Sequence, residues 1–189
     1  RVNALGTANV VEACKLLPIP PTFLLASSSE VYAPSKEPLR EYSERRAITP
    51  YAASKIAAEE YVRSSGLPCV ILRPFNTYGR ALVGSPVAVI DKAIVSALTK
   101  GTIELWDPNP QRDFLFREDH VGAYLSVIEN LWTTHPLGRT FNFGTGKTAT
   151  IGQTLELIAT LTGATIKQVE GRGGGDHSVL WADTLFAQG

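Results

Sequence analysis

Two short, unbroken apolar runs constrain this chain more than any other feature: TFLLA at residues 22–26 and CVILR at residues 69–73. A strand with one face in water alternates apolar and polar residues. An uninterrupted run therefore points to a strand covered on both faces, as inside a parallel sheet. Each run follows a segment with helical spacing. Val2, Leu5, Ala8 and Val11, with Ala13 and Leu16 beyond, predict a helix over about residues 2–17, ended by Pro18, Pro20 and Pro21. Thr49 and Pro50 predict a second helix, with threonine as N-cap and proline at the first helical position. It runs to about Ser64 and is stopped by Gly66-Leu67-Pro68. The order helix, strand, loop, helix, strand argues for an α/β fold with a parallel sheet.

The stretch between Ala26 and Tyr51 reads as a long polar loop whose length suggests function or a lid. After Gly84-Ser85-Pro86 the pattern predicts an apolar helix to about Lys100, a short strand at residues 102–105 and a polar connector, WDPNPQRDF. Asp119 is placed to cap a helix running to about Trp132; residues 140–144 are strand-like and residues 151–161 helical. The end carries a glycine cluster, GRGGGD, and then VLWAD. A division near residue 84 is expected, with sheet-forming units in 1–84 and a smaller mixed unit in 85–189. Segments around 102–144 are candidates to rejoin the sheet.

Composition narrows the function classes. The 189 residues are 44% hydrophobic and 19% charged, ordinary values for a globular chain, with 18 basic residues balanced by 18 acidic ones. A protein that binds nucleic acid electrostatically needs a basic excess to displace counterions, so that class is not expected. No run approaches the roughly 18 apolar residues of a membrane-spanning helix, and the first ten residues lack the zones of a secretion signal. Cys14 and Cys69 lie in apolar stretches without metal-ligand spacing and read as buried thiols in a reducing, cytoplasmic setting. His120, His135 and His177 are scattered and read as structural. With no methionine and an opening in mid-pattern, the chain is expected to be a piece of something longer.

The residues best placed for chemistry are Ser27-Ser28-Ser29-Glu30 and Tyr51-Ala-Ala-Ser-Lys55. In open α/β sheets ligands bind beyond the carboxyl ends of strands, where the serines fall. Tyr51 and Lys55, four apart, share one helix face. A lysine ammonium beside a phenol favours the phenolate, drawing its pKa from about 10 toward a general-base value. A serine hydroxyl opposite could hold the substrate oxygen. By chance, about 0.2 matches to Y-x-x-x-K arise in such a composition. Taken alone, Lys55 and Glu59 would serve as well as an exposed ion pair and the serines as a turn.

SSSEVY, TPYAASK and RPFNTYG occur in order, each at a strand end or helix start, with N-x-x-G-T before them and RDF-x-x-x-x-D after. As an ordered set, from Asn3 to Asp183, they resemble the extended short-chain dehydrogenase/reductases, the nucleotide-sugar epimerases and dehydratases. The resemblance implies the C-terminal part of a doubly wound, Rossmann-like parallel sheet with a smaller mixed α/β substrate-binding domain. It implies Tyr51 as catalytic base, Lys55 as its electrostatic partner and holder of the nicotinamide ribose, and Ser28 as catalytic serine. Ser27 and Pro74, with Tyr51 and Lys55, fall on the cofactor side, where NAD is implied and NADP stays open. Ser28, Ser29, Asn76, Arg112 and Arg172 fall on the side of a nucleotide-diphosphate sugar. Asn76 and Arg112 match groups that contact the diphosphate, for which an arginine fork is suited. A salt bridge from Arg112 to Asp113 or Asp119 is the structural alternative. Ser29 stands where 4,6-dehydratases carry an acid, and Glu30 where dehydratases and some decarboxylases carry a carboxylate base. Asn3 resembles the family's helix asparagine, and a structural role suits it equally.

Two departures stand out. Arg172-Gly-Gly-Gly-Asp176 sets the arginine one place early compared with the R-P-G-D of relatives. The glycine-rich turn that would cradle a dinucleotide's pyrophosphate is absent. About 90 further residues, three βα units at roughly 30 each, are expected ahead of Arg1 in a whole enzyme. Gly144-Thr-Gly-Lys147-Thr148 imitates the end of a phosphate-binding loop, but the required first glycine is Phe141. Two functions follow. One is an NAD-dependent nucleotide-sugar 4-epimerase or dehydratase, dimeric through residues 2–17 and 51–64, in which Tyr51 takes the C4 hydroxyl proton. A 4,6-dehydratase or decarboxylase using Glu30 is a variant within that class. The other is a non-catalytic fragment or degenerate module that binds a nucleotide sugar or a partner.

Overall fold

The computed structural model describes residues 2–79, 88–131, 137–170 and 179–185. The first helix opens as a wide π turn, Val2–Gly6, and continues as α1 (Thr7–Lys15). Then come β1 (Phe23–Ala26), a single 3-10 turn at Ser29–Val31, α2 (Pro50–Ser64) and β2 (Cys69–Pro74). Thr49 Oγ1 accepts from the Ala52 amide at 3.0 Å, so α2 starts where its capping residues place it. Beyond lie β3 (Asn76–Tyr78), α3 (Val89–Lys100), β4 (Thr102–Leu105), β5 (Gln111–Arg112), β6 (Phe114–Phe116) and α4 (Arg117–Glu129). The chain continues with β7 (Thr140–Phe143), β8 (Ala149–Thr150), α5 (Ile151–Thr162), β9 (Thr165–Gln168) and β10 (Val179–Leu180).

β1, β2 and β7 form a parallel sheet in that order, with Phe23 opposite Cys69 and Ile71 opposite Thr140. Side chains of β2 alternate across it. Cys69 and Ile71 join Val11, Leu25, Ala58 and Val62 under α1 and α2, whereas Val70 and Leu72 meet Leu115, Phe143 and the α4 side chains Tyr124 and Val127. Val70, Ile71 and Leu72 are fully buried, worth roughly 1.5–3 kcal/mol each. The expectation of two-sided burial holds for β2 but only in part for β1. There Leu25 is buried, Phe23 and Leu24 are half-buried and Ala26 is exposed. Among the described residues β1 has one sheet neighbour, β2.

Three further expectations need correction. The stretch after Ala26 is a packed connector rather than a lid. Val31, Tyr32 and Leu39 bury their side chains with Phe75, Leu180 and Ala182, and bridges join Tyr32 to Arg45 and Leu39 to Ala182. Asp119 does not cap α4: the helix starts two residues earlier, with Phe116 at the N-cap, and Asp119 sits in its first turn, where a carboxylate faces the amide-rich end. Cys69 is buried, which pushes its thiol pKa up, but Cys14 is only partly covered.

In the second half, α3 and α5 pack over β4 through Ile90, Ala93, Ala97, Ile103, Leu155 and Ile158. Both helices end at a glycine in the left-handed conformation, Gly101 and Gly163, which turns the chain directly into β4 and β9. β4 and β9 pair in parallel, as do β3 and β6. Residue 84, the expected division, lies outside the described residues. Among the described residues no helix is long and apolar enough to cross a membrane, and no cluster of side chains could hold a metal ion.

Candidate active site

β1 ends at Ala26, and the three serines that follow are buried. Ser28 Oγ accepts from the Glu30 amide at 3.2 Å and so caps the Ser29–Val31 turn. α2 brings its first turn over this strand tip. Lys55 Nζ donates to the Ala26 carbonyl at 2.7 Å and lies 5.8 Å from the centre of the half-exposed Tyr51 ring. Burial pulls the Lys55 pKa below its ordinary value. A partly desolvated ammonium acts on the adjacent ring through less screening water than a surface lysine would. Asn3 Nδ2 donates to Ser54 Oγ (3.0 Å), which donates to the Tyr51 carbonyl (2.7 Å), so the first helix braces the turn that carries Tyr51.

The alternative of an exposed Lys55–Glu59 ion pair is overturned. Lys55 is spent on Ala26, and Glu59 is wholly buried. Its carboxylate accepts from Ser27 Oγ, from Arg73 Nε and Nη2, and from Arg45 Nη1. Burial works to raise the Glu59 pKa, but hydrogen bonds and charge from Arg73, with help from Ser27 and Arg45, hold it below the ordinary carboxylate value. Arg73 donates also to Tyr32 Oη and the Glu41 carbonyl, both at 2.8 Å, and Tyr32 Oη donates to Asn142 Oδ1. The sequence signals for this network were an acid at the third position of the Tyr51-Lys55 face, read above only as a surface partner of Lys55, and an arginine closing an apolar strand, Arg73.

Other predicted site residues lie at the end of β2 and on the strands after it. Pro74 closes β2 opposite Phe143 of β7. Asn76 opens β3 with its Oδ1 buried and without a hydrogen-bond partner, a state that a ligand donor would relieve. Arg112, in β5, is half-buried and donates to the Gln111 carbonyl at 2.8 Å. Burial lowers its pKa, and the Glu30 carboxylate works against that shift, so these two predicted site residues sense each other's charge. Asp113, the alternative partner of Arg112, is committed elsewhere: it accepts from the Thr145 amide (2.8 Å) and hydroxyl (2.7 Å) and from the Gly146 (3.0 Å) and Ala182 (3.2 Å) amides. The 144–148 stretch is thus a turn held by a buried carboxylate.

Arg172, with His135 and His177, lies outside the described residues. His120 contacts Thr77 Oγ1 through Nδ1 at 2.9 Å and lies tilted against Tyr124, ring centres 5.0 Å apart; burial pushes the Tyr124 pKa up to about 12, with Tyr51 adding to the shift. In the second half a cavity of about 500 Å³ lies against α3 and β4, lined by Val89, Lys92, Ser96, Ile103, Glu104 and Trp106 among others.

A family model described as the NAD dependent epimerase/dehydratase family matches residues 1–144. The chain is 29% identical over 181 residues to a GDP-6-deoxy-D-mannose reductase of Pseudomonas aeruginosa, covering 90% of this chain and 58% of that enzyme. A solved structure of MoeE5 in complex with UDP-glucuronic acid and NAD superimposes with a TM-score of 0.86 at 28% identity, over 98% of this chain and 63% of the other. A UDP-N-acetylglucosamine 4-epimerase from Methanobrevibacter ruminantium, in complex with UDP-N-acetylmuramic acid, gives 0.85 at 29% identity over 98% and 61%. The chain therefore spans about three fifths of the length of these relatives.

Proposed function

Because the chain belongs to the NAD-dependent epimerase/dehydratase family, we propose that it carries the catalytic Tyr-Lys pair and the substrate wall of a nucleotide-sugar 4-epimerase or dehydratase, with Tyr51 as base. The observation that carries this reading is the Lys55 ammonium, 5.8 Å from the centre of the Tyr51 ring and fixed to the carbonyl of Ala26, two residues before Ser28 in the chain.

The residues present fit the nicotinamide end of the cofactor. Tyr51 and Lys55 offer a hydroxyl and a partly desolvated ammonium to ribose hydroxyls, beside Ser27 and Pro74 at the ends of two parallel strands. NAD, when bound, supplies the site to which the sugar's C4 hydride goes and from which it returns. Tyr51 Oη accepts the C4 hydroxyl proton, Lys55 favours the resulting phenolate, and the Ser28 hydroxyl holds the substrate oxygen in line. Asn76, through its side-chain NH2, and Arg112, through its guanidinium, hold the diphosphate end. Arg172 is assigned to the same end on the motif alone. The second-half cavity, with half-exposed Trp106 on its wall, suits a flat base. Ser29 and Glu30 decide between classes: a ketone product would assign Glu30 the C5 proton, and a 4-epimer would leave it beside Arg112 as a charge partner. Val2, Leu5 and Val10 leave apolar surface on the first helix that a second copy would cover in a homodimer.

The test is a turnover screen of the protein at its natural length with UDP-, dTDP- and GDP-sugars, analysed for 4-epimer and for keto-sugar. Either product supports the reading. Tight binding of a nucleotide sugar without turnover, and without copurified NAD(H), would instead support a binding module.

A further inference from the structure

We propose that Glu59, acting through Ser27, Arg73 and Arg45, is the positioning residue that fixes α2 against the tip of β1 and thereby sets Tyr51 and Lys55 against Ser28. The inference rests on the catalytic reading of Tyr51 above. Tyr51, Lys55 and Glu59 recur every four residues, so they share one face of α2, and Glu59 stands about 12 Å along the axis from Tyr51, too far to touch the sugar. A glutamate is seldom wholly buried, yet this one is, and four donors converge on it.

The arrangement of those donors gives the carboxylate its task. Arg73 approaches as a fork, through Nε to one oxygen and Nη2 to the other, which fixes both the separation and the plane of the pair. Arg73 is itself held by Tyr32 Oη, the Glu41 carbonyl and the Tyr32 ring, 4.8 Å from its guanidinium carbon. The helix is thus referred to β2, which lies between β1 and β7. Ser27 ties the same carboxylate to β1, one residue beyond the Ala26 carbonyl that Lys55 holds. Two successive positions on one helix face therefore grip two successive residues at the strand tip, and the next residue is Ser28. A buried ion pair is a weak source of net stability compared with apolar packing, but it specifies one register.

Two variants of the natural-length protein test this. Glu59→Gln keeps the shape but turns an amide NH2 toward arginine donors. Glu59→Leu with Arg73→Met removes both charges and refills the volume, which keeps the fold accessible if the single variant misfolds. The expected result is a kcat per folded molecule at least tenfold lower in the double variant and threefold lower in Glu59→Gln. KM for the nucleotide sugar should stay within twofold, because Asn76 and Arg112 stand on other elements. Crystals of either variant should show Lys55 Nζ drawn away from the 2.7 Å contact with Ala26. A folded variant that keeps kcat within twofold and that contact intact would overturn the proposal. If the parent turns over no nucleotide sugar, the catalytic reading fails, while the crystal measurement still decides whether Glu59 holds the helix.

Discussion

Replacing Asp113 by asparagine should lower the stability of the fold by about 3–6 kcal/mol. The carboxylate is fully buried and its two oxygens have separate duties. Oδ1 accepts from the Thr145 amide and hydroxyl, and Oδ2 from the amides of Gly146 and Ala182. An asparagine can keep one oxygen in place, but its NH2 then faces two backbone donors. Hydrogen bonds to a charged acceptor contribute about 1.5–3 kcal/mol each, and the bond to the Ala182 amide is fully buried. For a chain of this size that shifts the melting temperature by on the order of 10 °C. Gly144 offers an independent route to the same point, since a Cβ there would lie 2.5 Å from Asp113 Oδ2 and 2.7 Å from Ala182 Cβ. Urea unfolding at equilibrium of Asp113→Asn, Gly144→Ala and the double variant is the assay. The double variant should lose less than the sum of the two singles, because both disturb one contact set. A single Asp113→Asn loss below about 1 kcal/mol would refute the reasoning.

Arg112→Met should raise KM for the nucleotide sugar about tenfold or more while kcat stays within a few-fold, as expected of a diphosphate contact; steady-state kinetics showing unchanged KM would contradict it. Thr49→Ala removes the hydroxyl that accepts from the Ala52 amide and should cost about 1 kcal/mol in thermal unfolding. The folded-state pKa of Glu59 is depressed, so its contribution is present above the unfolded value of about 4.3 and is lost as pH falls through the folded value. Unfolding free energies measured from about pH 6 down to about pH 3 should therefore drop more steeply in the parent than in Glu59→Gln, and parallel curves would count against the buried ion pair.

Much of the fold was legible because single residues act locally. Thr49-Pro50 sets the start of α2, the proline cluster after Leu17 ends the first helix, and the alternation of Cys69, Val70, Ile71 and Leu72 across β2 needs cover on both faces. The short strands β3, β5, β6, β8 and β10 were not legible, since two or three residues carry no period and their pairing is set by partners distant in sequence. Of the candidate site, the motifs located Tyr51, Lys55 and the serines, and the structure brings the Lys55 ammonium to the strand tip beside the Tyr51 ring. What escaped was the buried carboxylate and arginine behind them. Glu59 next to the exposed Glu60, and Arg73 at the end of an apolar run, look like solvent-facing charges until the fold sets them together across 14 residues of chain. Asp113 escaped likewise, because its partners at 145, 146 and 182 meet it only in the folded chain.

The most direct measurement is the turnover of Tyr51→Phe beside the parent, both at natural length, together with the affinity of each for the nucleotide sugar. A phenol that moves the C4 hydroxyl proton predicts a fall in kcat of at least about 100-fold with affinity within a few-fold. Equal turnover in the two proteins would contradict the assignment of Tyr51 as the base.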